Sequence, residues 1–164
     1  MELAQIAWVI PDIVKTKKMF EEVMGVKGFS DIMKVSTDQY KGTYYGKLSN
    51  EESFVSMAYS GGIFIELIQP IKGPSIFEDY LKQNPGGGIQ HFAYRVPLIE
   101  YEKVIADYKN RGYKVASDFD TNIAMISIFD TTKELGVMTE IMGVTEEGVR
   151  IIEGMKRELT SKSV

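Results

Sequence analysis

Asn84-Pro85-Gly86-Gly87-Gly88-Ile89-Gln90-His91-Phe92-Ala93-Tyr94-Arg95-Val96 is the stretch on which the fold turns. Pro85 and the three glycines end whatever helix precedes them, and the β-branched and aromatic run from Ile89 to Val96 restarts the chain as a strand. His91 sits on that strand and is the only histidine among 164 residues. A lone histidine is more often a hydrogen-bonded packing residue than a ligand. Its position changes the balance, because it opens a second copy of the N-terminal segment.

Gln5-Ile6-Ala7-Trp8-Val9-Ile10-Pro11 aligns without a gap on His91-Phe92-Ala93-Tyr94-Arg95-Val96-Pro97. Alanine falls on alanine, Trp on Tyr, Pro on Pro, and Gln5 on His91. A segment with helical apolar spacing follows each proline: Ile13, Phe20, Val23 and Met24 in the first copy, Ile99, Val104, Ile105 and Tyr108 in the second. Each closes on a glycine, Gly25 or Gly112, where a left-handed cap costs least. The copies also end alike, in Phe64-Ile65-Glu66-Leu67-Ile68 and Met138-Thr139-Glu140-Ile141-Met142, each with one carboxylate inside an apolar strand. An ionised carboxylate is expensive there unless it is paired, hydrogen-bonded or bound to a metal. Order, spacing and punctuation together predict an internal duplication.

A chain of this length makes one domain, or two small modules sharing a core. Its 44% apolar and 26% charged residues are those of an ordinary globular protein. A net charge of -4 argues against nucleic acid as a partner, since phosphate binding needs a positive footprint. The absence of cysteine excludes disulfides, thiolate metal sites and a cysteine nucleophile. The N-terminus enters a strand without a signal-peptide pattern and no apolar run reaches bilayer length, so a cytoplasmic location with no membrane partner is expected.

Along the chain, the first strand is predicted over 4–10, with Asp12 capping a helix to about Met24. Strand pieces at Ile32–Val35 and Thr43–Tyr45 surround a polar turn, and Ser53–Tyr59 pairs with Ile63–Gln69 across Ser60-Gly61-Gly62. Ser75 and Glu78 form a capping box for a short helix to about Gln83, whose N-terminus could also receive a phosphate or carboxylate. The second copy continues with a helix over 99–111 and strands near 113–118, 123–129 and 136–142, with a turn at Asp130-Thr131-Thr132. A last helix from Thr145 places Val149, Ile152 and Met155 on one face, covering an edge or a dimer contact, and Ser161–Val164 is expected to fray. The division is 1–72 for the first βαβββ module, 73–88 for a connecting helix and glycine turn, 89–143 for the second module, and 144–164 for the C-terminal helix and tail.

Strand alternation puts Gln5, Glu66, His91 and Glu140 on equivalent faces, and two βαβββ modules rolled about a pseudo-twofold would bring all four to one concavity. One imidazole, two carboxylates and one amide oxygen suit a divalent metal such as zinc, nickel, cobalt or manganese. The chain resembles the vicinal oxygen chelate superfamily over about residues 2–143. That group holds glyoxalase I, methylmalonyl-CoA epimerase, extradiol dioxygenases and bleomycin- and fosfomycin-resistance proteins. The carrying residues are Ile6 to Asp12, Phe64 to Pro70, Gly87 to Ala93, Phe129 to Thr131 and Gly136 to Glu140, and the stretch from Gly73 to His91 is most similar to the epimerase and glyoxalase branch. The resemblance implies an α+β fold, a rolled mixed sheet forming a glyoxalase-like half-barrel plus the C-terminal helix. It also implies that Gln5, Glu66, His91 and Glu140 are the metal ligands, and family habit makes a homodimer the expected assembly.

Two departures matter. Gln5 stands where the family often has histidine, which disfavours the dioxygenase and thiol-transferase chemistries and resembles the zinc-type glyoxalase I. The strand Phe54–Tyr59 has no carboxylate where some epimerases place a second acid-base group, and Glu52 lies only at its edge. The expected function is a metal-dependent isomerase or lyase of the glyoxalase or methylmalonyl-CoA epimerase type, acting on a small-molecule substrate and stabilising an enediolate. Glu140 is the expected base, with Glu66 as ligand and second proton carrier. Tyr45, Met57, Tyr59, Arg95 and Ser127 are candidate pocket residues. The alternatives are a non-catalytic small-molecule binding protein of the bleomycin-resistance kind, and a metal-free structural network of His91 and the two glutamates.

Overall fold

The computed structural model describes residues 1–162. The first module is β1 (Glu2–Val9), α1 (Ile13–Glu22), β2 (Met33–Ser36), β3 (Thr43–Tyr44), β4 (Lys47–Leu48), β5 (Glu52–Ser60) and β6 (Ile63–Lys72). Then come α2 (Ile76–Gln83), β7 (Gly88–Pro97), α3 (Leu98–Asn110), β8 (Val115–Asp120), β9 (Ala124–Phe129), α4 (Thr132–Leu135), β10 (Met138–Val144) and α5 (Glu146–Ser161). Asp12 caps α1 by accepting from the Lys15 amide at 2.9 Å, whereas Pro97 gives α3 no side-chain cap. The turn expected at residues 130–132 continues into α4.

Eight strands form one mixed sheet in the order β2-β5-β6-β1-β7-β10-β9-β8. The order reads the same from both edges once β1 is matched to β7, β6 to β10, β5 to β9 and β2 to β8. Register obeys the same symmetry: Gln5 pairs with Phe64 and Ala7 with Glu66 on one side, His91 with Met138 and Ala93 with Glu140 on the other. Across the central seam Gln5 faces Ala93 and Ala7 faces His91. Two bulges break this seam at equivalent places, leaving Ala4 extra on β1 and Gln90 extra on β7. The triple glycine is needed where Gly87, at φ +75°, passes β1: a Cβ there would lie 2.7 Å from the Val9 carbonyl oxygen.

Each module packs its helix on the outer face of the sheet. Ile13 and Phe20 of α1 meet Ala58, Ile65 and Leu67, and Tyr101 and Ile105 of α3 meet Val96, Phe129 and Ile141. Three residues expected on these inner faces are outside them. Val23 and Met24 follow the end of α1 and are exposed, and Ile99 in the first turn of α3 is 93% exposed while Tyr101 takes the inward place. With both helices outside, the concave face is left free.

Two segments close that face. The β3–β4 hairpin of the first module reaches the outer strand of the second, where the Tyr45 amide donates to the Ala116 carbonyl at 2.8 Å and Thr43 Oγ1 donates to Asp118 at 3.0 Å. The other cover is α5. Thr145 caps it, accepting from the Gly148 amide and donating to the Ile123 carbonyl, and a Cβ on Gly148 would collide with that carbonyl oxygen. Ile152 and Met155 turn into the concavity as the spacing predicts, but Val149 is 44% exposed because it lies on the outer side of the first turn. Ser161 is still helical and Lys162 is its cap; the remaining two residues of the tail expected to fray lie outside the described residues.

Candidate functional site

The covered concavity is a chamber of about 330 Å³ whose walls come from both halves of the sheet, the turn at 37–40 and α5. Such a volume is at the small end for ligand sites. Most of the lining is aliphatic or aromatic, and the polar groups are few.

Gln5, Glu66, His91 and Glu140 all line it. Gln5 Nε2 donates to Glu66 Oε2 at 2.6 Å. His91 Nε2 lies 3.2 Å from Glu140 Oε2 and 3.8 Å from Glu66 Oε2, without hydrogen-bond geometry to either, and is buried with no partner. Its other nitrogen, Nδ1, is 2.6 Å from Gln90 Oε1. An amide oxygen there requires a ring proton on Nδ1, which leaves Nε2 as the nitrogen that faces the two carboxylates. Gln90 can do this because the bulge removes the usual alternation and puts consecutive side chains on one side. Its Nε2 is fixed in turn by Met138 Sδ at 3.1 Å, and Phe77 of α2 stacks against the His91 ring with centroids 6.2 Å apart.

Burial pushes the Glu66 carboxyl up to about 7; His91 pulls it back and Glu140 adds to the rise. Burial opposes charge on His91, but the neighbouring Glu140 and Glu66 carboxylates outweigh it and raise the ring above its ordinary value. A buried imidazole nitrogen between two carboxylates and an amide fits a divalent cation by the chemistry of its donors, the cation displacing the ring proton that the carboxylates favour in its absence. The side chains nevertheless rest on one another: Gln5 offers Glu66 its NH₂, not its oxygen, and among the described residues no three acidic or histidine side chains are spread as a ready coordination shell. Binding would require the Gln5 amide to turn.

Of the other candidate pocket residues, Met57 and Arg95 line the chamber and three do not. Tyr45 is exposed on the β3–β4 turn. Tyr59 donates to the Gly62 carbonyl within its own hairpin at 3.1 Å, under the Lys156 ammonium. Ser127 shares a hydrogen bond of 2.7 Å with Tyr101 on the outer, helix-covered face. Sequence reasoning also missed one group that holds His91 from behind and two that line the chamber. Gln90 was hidden by the assumption of strict alternation, Glu51 precedes the strand read over Ser53–Tyr59, and Ser53 opens that strand as a small polar residue with nothing local to mark it. Glu51 is buried, which pushes its carboxyl up to about 7 although a hydrogen bond with Ser75 acts the other way. At the N-terminus of α2, Ser75 accepts from the Glu78 amide as the capping box requires. With Glu51, Glu78 and Asp79 around it, that terminus is surrounded by carboxyl groups and does not invite an anion.

The family model for the glyoxalase/bleomycin resistance protein/dioxygenase superfamily matches residues 4–125, and the chain belongs to that superfamily. No curated protein sequence matches it. Among solved structures it is similar to methylmalonyl-CoA epimerase from Mycobacterium tuberculosis, with a TM-score of 0.62 at 14% identity over 91% of both chains. A hypothetical protein from Bacillus halodurans gives a TM-score of 0.63 at 16% identity, over 88% of this chain and 95% of that one. Streptomyces coelicolor methylmalonyl-CoA epimerase, in complex with 2-nitronate-propionyl-CoA, gives 0.58 at 17% identity, over 88% of this chain and 97% of that one. At these identities the likeness is one of fold, and it agrees with the rolled eight-stranded sheet.

Proposed function

We propose that this superfamily member is a metal-dependent isomerase or lyase that removes a proton next to a carbonyl of a small-molecule substrate. The observation that carries the reading is His91 Nε2, which is buried, unpartnered, held in place through the hydrogen bond from Nδ1 to Gln90, and aimed at two carboxylates. Gln5, Glu66, His91 and Glu140 would hold the divalent ion, of the zinc, nickel, cobalt or manganese type. When bound, the ion supplies Lewis acidity toward substrate oxygens. The chain's own groups handle the proton. Glu140 takes it from carbon, and Glu66, at about 7, is matched to hold or return one near neutral pH. The mostly apolar walls leave these carboxyl groups few competing polar partners. The likeness in fold to epimerases supports the same reaction type.

Solvent deuterium incorporation next to the carbonyl of 2-hydroxyketones, followed by NMR, tests the reading. Exchange should need divalent metal and fall by about 10²- to 10⁴-fold in Glu140→Gln. Full exchange in that variant would sink it. Non-catalytic capture of a small molecule is the second reading, supported by the mostly apolar chamber. Tight binding by metal-free protein with no isotope exchange would favour it. Among the described residues no helix is long and apolar enough to cross a membrane. A cytoplasmic homodimer belongs to the same proposal, and light scattering of the purified chain checks the assembly.

A further inference from the structure

The chamber has a second polar end. Ser53 and Glu51 enter it from the start of β5, away from His91. Ser53 is 4% exposed, and its Oγ has no hydrogen-bond partner. On β5 the residue paired with Glu66 is Met57, so Ser53 stands four residues along the strand from the His91 end. At ~3.3 Å per residue the two ends are about 13 Å apart. Val55, Ile68, Ile126, Ile152 and Met155 make the walls between them apolar. Arg95 is the one permanent cation among the described lining residues, and it is engaged by Glu2 at 2.9 Å.

We infer that the chamber takes an uncharged, elongated small molecule, with its reacting oxygens at the His91 end, an apolar body along β5, and a remote hydroxyl or carbonyl bound by Ser53 Oγ beside Glu51. This names the substrate class of the proposed reaction and rests on that reading only in taking this chamber as the place of reaction. A buried hydroxyl with no partner is unfavourable unless a ligand completes it. An anionic tail, such as the phosphates of an acyl-CoA thioester or the carboxylates of a glutathione adduct, would find no unengaged lysine or arginine among the described lining residues to meet it at the Ser53 end. A cationic ligand would require Glu51 to ionise where burial favours its neutral form, and both charges would leave water.

Calorimetric titration of the full chain with 1,8-octanediol, octylammonium, octanoate and coenzyme A tests the inference. The diol should bind most tightly. Ser53→Ala should weaken it about threefold to tenfold while leaving the melting temperature equal or higher, because an unpaired hydroxyl has been removed. Glu51→Gln should leave diol affinity within about twofold. Equal diol affinity in Ser53→Ala overturns the inference, as does tighter binding of octylammonium, octanoate or coenzyme A. The same titration on His91→Ala separates this result from the metal reading. Ser53-dependent diol binding should persist there, and its persistence in a protein that never binds metal would uphold the ligand class while the proposed reaction failed.

Discussion

Gln5 on β1 and His91 on β7 hold the same place in the two halves of the sheet, each one residue past a bulge and each one strand from a glutamate. Their surroundings differ. The bulge residue before His91 is Gln90, which fixes the imidazole; the one before Gln5 is Ala4, which reaches nothing polar, and Gln5 turns instead to Glu66. By the register of the outer strands, Ser53 of β5 corresponds to Ala124 of β9, so the remote polar group is also one-sided. The repeated backbone supplies a frame with two equivalent positions for everything, and substitution at those positions makes the chamber directional.

The strongest way to break the comparison is to remove a feature only one half has. Gly148 lets α5 dock on the Ile123 carbonyl of the second half, and Gly148→Val should lower stability by about 3 kcal/mol in denaturant unfolding and open the chamber. Gln90→Ala leaves the His91 ring free to turn and should weaken divalent metal binding roughly 10- to 100-fold, with the fold retained by circular dichroism. Titration sharpens the picture further. Glu51 has its folded value raised, so its stabilising effect is complete below its unfolded value of about 4.5 and is lost as pH rises through about 7. Glu51→Gln should therefore lose roughly 2 kcal/mol less than the parent between pH 5 and 8, read from urea midpoints. The smallest test compares the two outer helices. Asp12→Ala should cost about 1 kcal/mol, because α1 is side-chain capped and α3 is not.

The duplication and the half-barrel were legible because they rest on periodic signals: Gln5 over His91, Glu66 over Glu140, and a glycine after each helix. Convergence of those four residues followed from alternation. What alternation concealed was Gln90, since a bulge adds a residue without any mark in composition, and the sequence read as an unbroken strand. The role of α5 was half legible. Ile152 and Met155 showed an apolar face, but nothing local says whether such a face meets an edge, another copy or the concave side of a sheet. Ser127 and Tyr59 failed for the converse reason, because polar atoms on strands find partners on either face, and only the three-dimensional register tells which.

Metal content tests the central claim most directly. Protein purified without chelator, and a second sample dialysed against zinc, would be measured by mass spectrometry beside His91→Ala. A site built on the His91 lone pair predicts near one equivalent of divalent metal in the parent and almost none in the variant. Equal metal in both, or none in either after zinc is added, would contradict it.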